Sequence, residues 1–430
     1  MSNQTTRRGF VRNAGALSAT LALGGRVLGA NDRINTAVIG LGTRGSWLLE
    51  GSLHRATEKN DVAVVALCDV YQARLARAAK KAPGAKTYTH HQDLLERKDI
   101  DAVMIATPDH WHSPITLMAL DRGCDVYCEK PMTHTLEEAA EVVAKVRQKQ
   151  RLMQVGVQAL SWERWRKIRE VVQAGTLGKV VSVQGTYSRN DPNGDWNWRI
   201  DPGAGPDAAG DNHIDWKQWL GAATPRPFDA DRFFRFRKYW DYSGGIATDL
   251  HYHIVAPFHL ALENEHPVRV SGMGGLWVYH DGREVPDTFL TAADYPGKYS
   301  MLVQSSQVNE IGPLLLMRGT RATMHLGDEW EGPQGRNTNI ARVVPETPFR
   351  DEFRKQWGKD ELVLENVGNQ GDQKHIDNFF DCVRSRQQPN CPADLGHKVM
   401  TTIDLSVRSY RENKVFLVDP ATGRIKDNRA

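Results

Sequence analysis

Nine residues constrain the fold more than any others: Ala37-Val-Ile-Gly-Leu-Gly-Thr-Arg-Gly45. An apolar run from Thr36 to Ile39 meets glycines at 40, 42 and 45, and Ser46-Trp-Leu-Leu-Glu50 then reads as the start of a helix. Strand, G-x-G-x-x-G, helix is the order of a dinucleotide-binding turn. Gly40 permits the tight turn, Gly42 lets backbone approach a pyrophosphate, and Gly45 lets the helix pack on the strand. Thr43 and Arg44 complete the turn. The helix N-terminus offers free N–H groups and a partial positive charge to the phosphates. A second apolar run, Val62 to Cys68, ends at Asp69, 24 residues past Gly45. An acid there accepts hydrogen bonds from ribose hydroxyls and repels a 2′-phosphate, which favours NAD over NADP.

Residues 1–30 read as a leader rather than as fold. Thr6-Arg-Arg-Gly-Phe-Val-Arg12 carries a twin-arginine pattern, followed by a modest apolar segment, Ala14 to Leu23, and a small-residue site at Leu28-Gly-Ala30. The expectation is export by the twin-arginine (Tat) machinery to the periplasm or beyond. No later stretch is apolar and long enough for a transmembrane span. The chain has 55 basic and 52 acidic residues, and the four arginines of the leader account for the excess. That balance gives no electrostatic case for nucleic acid. The cysteines are odd in number: 68, 124, 128, 382 and 391. Three lie near apparent strand ends and suggest buried thiols, whereas pairing of Cys382 with Cys391 stays open. Cys124 and Cys128 lack a partner CxxC, so no zinc site is expected.

About 400 residues beyond the leader predict two domains. In residues 31–156, short apolar runs alternate with amphipathic segments, and Thr135-Leu-Glu-Glu138 resembles a capping box. This pattern predicts an α/β Rossmann domain with a doubly wound parallel sheet. Residues 157–430 hold runs of strands with few helices and predict an α+β domain with a large, mostly antiparallel open sheet, whose apolar face suits a homo-oligomer. The stretch 327–370 reads as loop-rich.

Thr107-Pro-Asp-His-Trp-His112 follows one strand of the first domain, and Glu129-Lys-Pro131 follows the next. Both loops fall beyond strand carboxyl ends, where ligands of such sheets lie. With the glycine turn, Thr107-Pro108, His112 and Glu129-Lys130-Pro131 resemble the Gfo/Idh/MocA family (glucose–fructose oxidoreductase, inositol dehydrogenase and MocA). In the second domain the likeness rests on Gly244-Gly-Ile-Ala-Thr-Asp249-Leu-His-Tyr-His253, where an acid precedes a histidine by four residues. The resemblance implies Lys130, Asp249 and His253 as the catalytic set, with Thr107, Pro108, His112 and Glu129 near nicotinamide.

The spacing has its own physical sense. Residues i and i+4 share a helix face, so Asp249 and His253 can act on one carbon. Oxidation of a secondary alcohol by hydride transfer needs a base for the hydroxyl proton, and histidine suits that role. Lys130 can stabilise the developing alkoxide. Asp249-x-His251-x-His253 also has the residue types of a metal site, but on a helix His251 points elsewhere and no fourth ligand is evident; no metal is expected. The chain departs from the family pattern at His251, where a glycine is common, and after His253, where no acid follows. His251 is therefore an expected extra substrate ligand. Indole faces stack on sugar rings, so Trp196, Trp198 and the neighbouring Arg199 suggest a carbohydrate substrate. Export adds a constraint: beyond the cytoplasm there is no free nicotinamide pool, so the cofactor has to stay bound and be recycled. A glycosidase working by transient ring oxidation is the alternative cycle, and a non-catalytic NAD(H)-binding sugar sensor is the alternative of another class.

Overall fold

The computed structural model describes residues 32–263, 265–326, 340–365 and 371–426. The expected leader, residues 1–30, and parts of the 327–370 stretch lie outside the described residues.

The first domain runs β1 (Ile34–Ile39), α1 (Thr43–Lys59), β2 (Val62–Cys68), α2 (Gln72–Lys81), β3 (Lys86–Tyr88), α3 (His91–Leu95), β4 (Ala102–Ile105), α4 (His112–Asp121), β5 (Asp125–Glu129), α5 (Leu136–Lys149) and β6 (Met153–Gly156). Its six strands are all parallel in the order 3-2-1-4-5-6. β4 and β5 are buried at every position, as strands covered by helices on both faces must be. The strand order reverses between β1 and β4, and ligands of such sheets lie in the crevice outside that switch point. Thr135 caps α5: its side chain accepts from the Glu138 N–H, and the Glu138 carboxylate accepts from the Thr135 N–H, a complete capping box.

The rest of the chain contributes α6 (Glu163–Gln173), β7 (Val180–Gly185), α7 (Trp216–Leu220), α8 (Ala230–Phe234), α9 (Tyr252–Leu262), β8 (Arg269–Gly275), β9 (Thr288–Tyr295), β10 (Tyr299–Ser306), β11 (Leu316–Gly319), β12 (Ala322–His325), β13 (Ala341–Pro345), α10 (Arg350–Trp357), β14 (Leu362–Leu364), α11 (Gln373–Ser385), α12 (Ala393–Glu412) and β15 (Phe416–Leu417). Its nine strands form one open sheet in the order 14-13-12-11-7-10-9-8-15. Every neighbouring pair is antiparallel except β7 with β10. β9 and β10 alternate buried and more exposed residues, so one face packs on α12 and α9 while the other stays open. On that open face Met273 is 60% exposed and Leu302 36%. The loop-rich expectation for 327–370 misses β13, α10 and β14, which are short and sit at the sheet edge.

Two segments tie the halves together. Ile376, Phe379, Phe380 and Val383 of α11 pack into the core formed by Val38, Leu48, Leu49 and Met104 of the first domain. The 201–242 segment docks onto the end of β2: Ile214 bridges to Tyr71, the Asp215 N–H donates to the Val70 carbonyl (2.9 Å), and Tyr71 Oη donates to Asp201 (3.1 Å). All five cysteines are buried and unpaired, which closes the question of Cys382 and Cys391. Among the described residues no helix is long and apolar enough to cross a membrane.

Candidate functional site

One cavity of about 1050 Å³ opens at the switch point and runs from the glycine turn to the Gly244–His253 segment. Its geometry fits a dinucleotide. Gly40 sits at φ +84°, and a Cβ there would lie 2.6 Å from the Ala106 carbonyl oxygen. A Cβ on Gly45 would lie 1.7 Å from the Gly40 carbonyl oxygen, so only hydrogen fits between helix and strand. At Gly42 nothing is nearer than the Arg74 guanidinium at 3.7 Å, leaving open space over the turn. No side chain caps α1 and its first turn holds no acid, so its N–H groups stay available to phosphate. Thr107 Oγ1 and Arg44 Nη2 are buried in the cavity wall without a hydrogen-bond partner, as groups awaiting a polar ligand are.

The remaining cofactor-side residues line the same cavity, as does Pro108. Asp69 accepts the Leu41 N–H (2.6 Å) and the Tyr71 N–H (2.8 Å), fixing the turn to the end of β2. Each of its oxygens keeps a second lone pair for a ribose hydroxyl. Arg44 reaches across the cleft, with Nε 2.7 Å from Glu129 and Nη1 2.6 Å from Asp372 at the start of α11. His112 is buried, with Nδ1 2.6 Å from the Pro131 carbonyl oxygen and Nε2 2.9 Å from that of Thr107. It braces the two loops against each other and offers neither ring nitrogen to a ligand. The Lys130–Pro131 peptide is cis.

At the far end of the cavity Lys130, Asp249 and His253 come together. The Lys130 Nζ donates to the Asp249 carbonyl (2.8 Å) and to its carboxylate. Asp249 also accepts from Arg237 Nε (2.8 Å) and from the Trp196 indole N–H (3.2 Å). Burial alone would raise the Asp249 pKa, but Arg237, Lys130 and Arg189 outweigh it and hold the carboxyl well below the usual range. Asp249 lies in a π-turn, Ala247–His251, that leads into α9. Such turns recur at functional sites; here one stands where the sequence suggests a regular α-helix, yet both Asp249 and His253 line the cavity. The His253 ring packs edge-on against Tyr187 at 5.4 Å, and neither ring nitrogen bonds to a described residue. Burial, then the charges of Lys130, Arg189 and Arg44, push its pKa well below 6.5 despite Asp249. It is a neutral imidazole facing open space.

The expected substrate ligands separate. Trp198 is 43% exposed and lines the cavity. Trp196 is buried behind Asp249, and its role is the indole hydrogen bond to that carboxylate. Arg199 points to solvent outside the cavity. His251 is fully buried on the other side of the π-turn, 2.9 Å from Thr291 Oγ1 and packed on Phe289, so it does not reach substrate. Trp216 and Trp219 stack on each other at 4.8 Å in an aromatic core of which Trp219 also borders the cavity. Sequence reasoning missed Arg74, Arg189, Arg237 and Asp372. The signal for Arg237 was the basic–aromatic run Arg235-Phe-Arg-Lys-Tyr-Trp240 just before the glycine pair, which the tryptophans overshadowed. Among the described residues no group of His, Cys, Asp or Glu is placed to hold a metal.

The family model described as oxidoreductase family, NAD-binding Rossmann fold, matches residues 34–157, and its companion, oxidoreductase family, C-terminal alpha/beta domain, matches 163–273. The chain belongs to the Gfo/Idh/MocA family. Its first domain is that family's NAD-binding domain. Inositol 2-dehydrogenase of Corynebacterium glutamicum (strain R) is 29% identical over 156 residues, 36% of this chain and 45% of that protein. A glycosyl hydrolase family 109 protein of Stenotrophomonas maltophilia is 33% identical over 202 residues, 43% of this chain and 42% of that protein. The chain thus spans under half the length of these curated relatives. Levoglucosan dehydrogenase, solved with NADH and L-sorbose, shares the fold with a TM-score of 0.66 at 16% identity, covering 91% of this chain and all of that one.

Proposed function

We propose that this Gfo/Idh/MocA protein is an NAD-dependent oxidoreductase acting on a secondary hydroxyl of a sugar or sugar derivative. The observation that carries the reading is the convergence of Lys130, Asp249 and a neutral, unbonded His253 on the cavity that begins at the glycine turn. NAD, when bound, takes the hydride. Its site comprises the turn from Gly40 to Gly45, Asp69, and the Thr107 and Glu129 loops. His253 accepts the hydroxyl proton. The Lys130 ammonium, held by the Asp249 carboxylate and carbonyl, meets the oxygen on which negative charge grows. Trp198 offers an indole face to the sugar ring.

The pH profile checks the base. A histidine held below its ordinary pKa stays ready to accept a proton until the pH falls through the lowered value. kcat/KM, which reports the substrate-free protein, should therefore show no acid limb as the pH drops through 6.5. A half-maximal point near 6.5 would assign the step to an ordinary solvent-exposed imidazole instead.

The leader supports export by the twin-arginine route, with the protein working outside the cytoplasm on recycled cofactor. The 201–242 segment, docked beside the end of β2, supports cofactor retention, because Trp219, Phe233 and Phe234 from it wall the same cavity as Asp69. Protein matured by export should carry close to one nicotinamide nucleotide per chain, released by acid and read by chromatography. Protein that emerges empty would remove the recycling scheme. The apolar open face of the nine-stranded sheet supports a homo-oligomer, which light scattering would read.

The likeness to a glycosyl hydrolase family 109 protein favours a second reading, in which ring oxidation is transient and an aglycone is eliminated. Nitrophenyl glycosides separate the two: release of nitrophenol with no net reduction of bound cofactor selects the glycosidase. A non-catalytic sugar sensor would show no change in the cofactor's absorbance with any sugar.

A further inference from the structure

Arg189 and Arg237 both line the substrate end of the cavity. Hydrogen bonding to Asp249 does not account for both. Asp249 already accepts from Lys130, the Trp196 indole and Arg237 Nε, so its two oxygens are satisfied without Arg189. Arg189 has its nearest carboxylate, Asp195, at 3.7 Å, beyond hydrogen-bond range, and burial raises the Asp195 pKa, so its charge is the costly one to keep. Among the described residues the terminal amino groups of Arg237 have no hydrogen-bond partner.

Both guanidiniums sit over aromatic rings. Arg189 lies over the Tyr187 ring at 5.0 Å, and Arg237 over Trp198 at 5.2 Å and Phe236 at 4.7 Å. A ring that attracts a guanidinium through its π face takes none of the N–H donors a ligand would use. Side chains fixed in this way lose little entropy when they grip an anion. Trp198, expected to stack on sugar, is the same ring that carries Arg237, so the anion site and the sugar platform adjoin.

We propose that the substrate is an anionic carbohydrate, its carboxylate or phosphate held between Arg189 and Arg237 while the ring lies toward Lys130 and His253. The inference rests on the oxidoreductase reading and deepens it by naming the substrate class. It also makes sense of the histidine. The positive charges that depress His253 include Arg189, and an anion seated on that guanidinium offsets part of them, making the base stronger when substrate is present.

The test uses the NAD-loaded full chain and three sugars of one configuration: glucose, glucuronate and glucose 6-phosphate. Reduction of bound nicotinamide gives kcat and KM, and calorimetry gives binding. One anionic sugar should far exceed glucose in kcat/KM, and the better of the two names the anion as carboxylate or phosphate. Arg189→Gln should raise KM for that sugar about 10- to 100-fold, much more than it raises KM for glucose. If glucose serves as well as both anions, or the substitution raises all KM values alike, the anionic class is overturned and the oxidoreductase reading stands. If no sugar reduces the cofactor, the oxidoreductase reading falls. Calorimetry then decides this inference by itself: binding of an anionic sugar that Arg189→Gln weakens upholds it, and absence of such binding overturns it.

Discussion

Lys130→Ala should lower turnover on the order of 10³-fold while leaving bound nucleotide in place. The ammonium is the cation nearest the expected alkoxide, and both of its protein contacts are with Asp249. Arg237 does not replace it, because its Nε is already bonded to the same carboxylate. The fold should survive, since Asp249 keeps Arg237 and the Trp196 indole after the lysine is gone. Absorbance of bound nicotinamide on adding substrate reads the first effect, and acid release of nucleotide reads the second. A variant that lost both together would assign Lys130 to cofactor binding rather than to the reacting oxygen.

Gly45→Ala should have an effect of another kind. The new methyl group would stand 1.7 Å from the Gly40 carbonyl oxygen, a backbone atom that cannot swing aside. Either α1 lifts off β1 or the turn between them opens, and both remove the geometry that receives the pyrophosphate. The expected cost is about 3 kcal/mol of stability, the upper range for overpacking, together with loss of retained NAD. Denaturant titration gives the first and nucleotide content the second. Gly42→Ala serves as the contrast: its Cβ meets only the Arg74 guanidinium at 3.7 Å, so the fold should hold and only nucleotide affinity should fall.

The first domain was legible because its signals are local. Each apolar run ends in a residue that a turn or a ligand needs: Ile39 before Gly40, Cys68 before Asp69, Ile105 ahead of Thr107. Buried parallel strands leave continuous apolar stretches, and Thr135 with Glu138 announces a helix start in four residues. The site was half legible. Lys130, Asp249 and His253 stand in short motifs, so their convergence could be read along the chain. Arg189 and Arg237 were not read, because what makes them part of the site is their place over Tyr187 and Trp198 and guanidinium donors left without a carboxylate, and only the basic–aromatic run around Arg237 hints at this in the sequence. His251 and Trp196 failed as substrate ligands for a related reason. Two residues on from Asp249, His251 faces the opposite side of the turn and packs in the core against Phe289. Trp196 is an apolar residue with one donor, and the strongest acceptor within reach was a buried carboxylate.

The packing of Ile376, Phe379 and Phe380 against Leu48 and Leu49 bears on the order in which the molecule forms. A ribosome has to deliver the chain through Val383 before α11 can add its cover over Leu48 and Leu49. Until then the apolar surface that α11 packs against is exposed. Vectorial, piecewise maturation is therefore disfavoured for this chain, and its nucleotide pocket becomes whole only once Asp372 and α11 have been made.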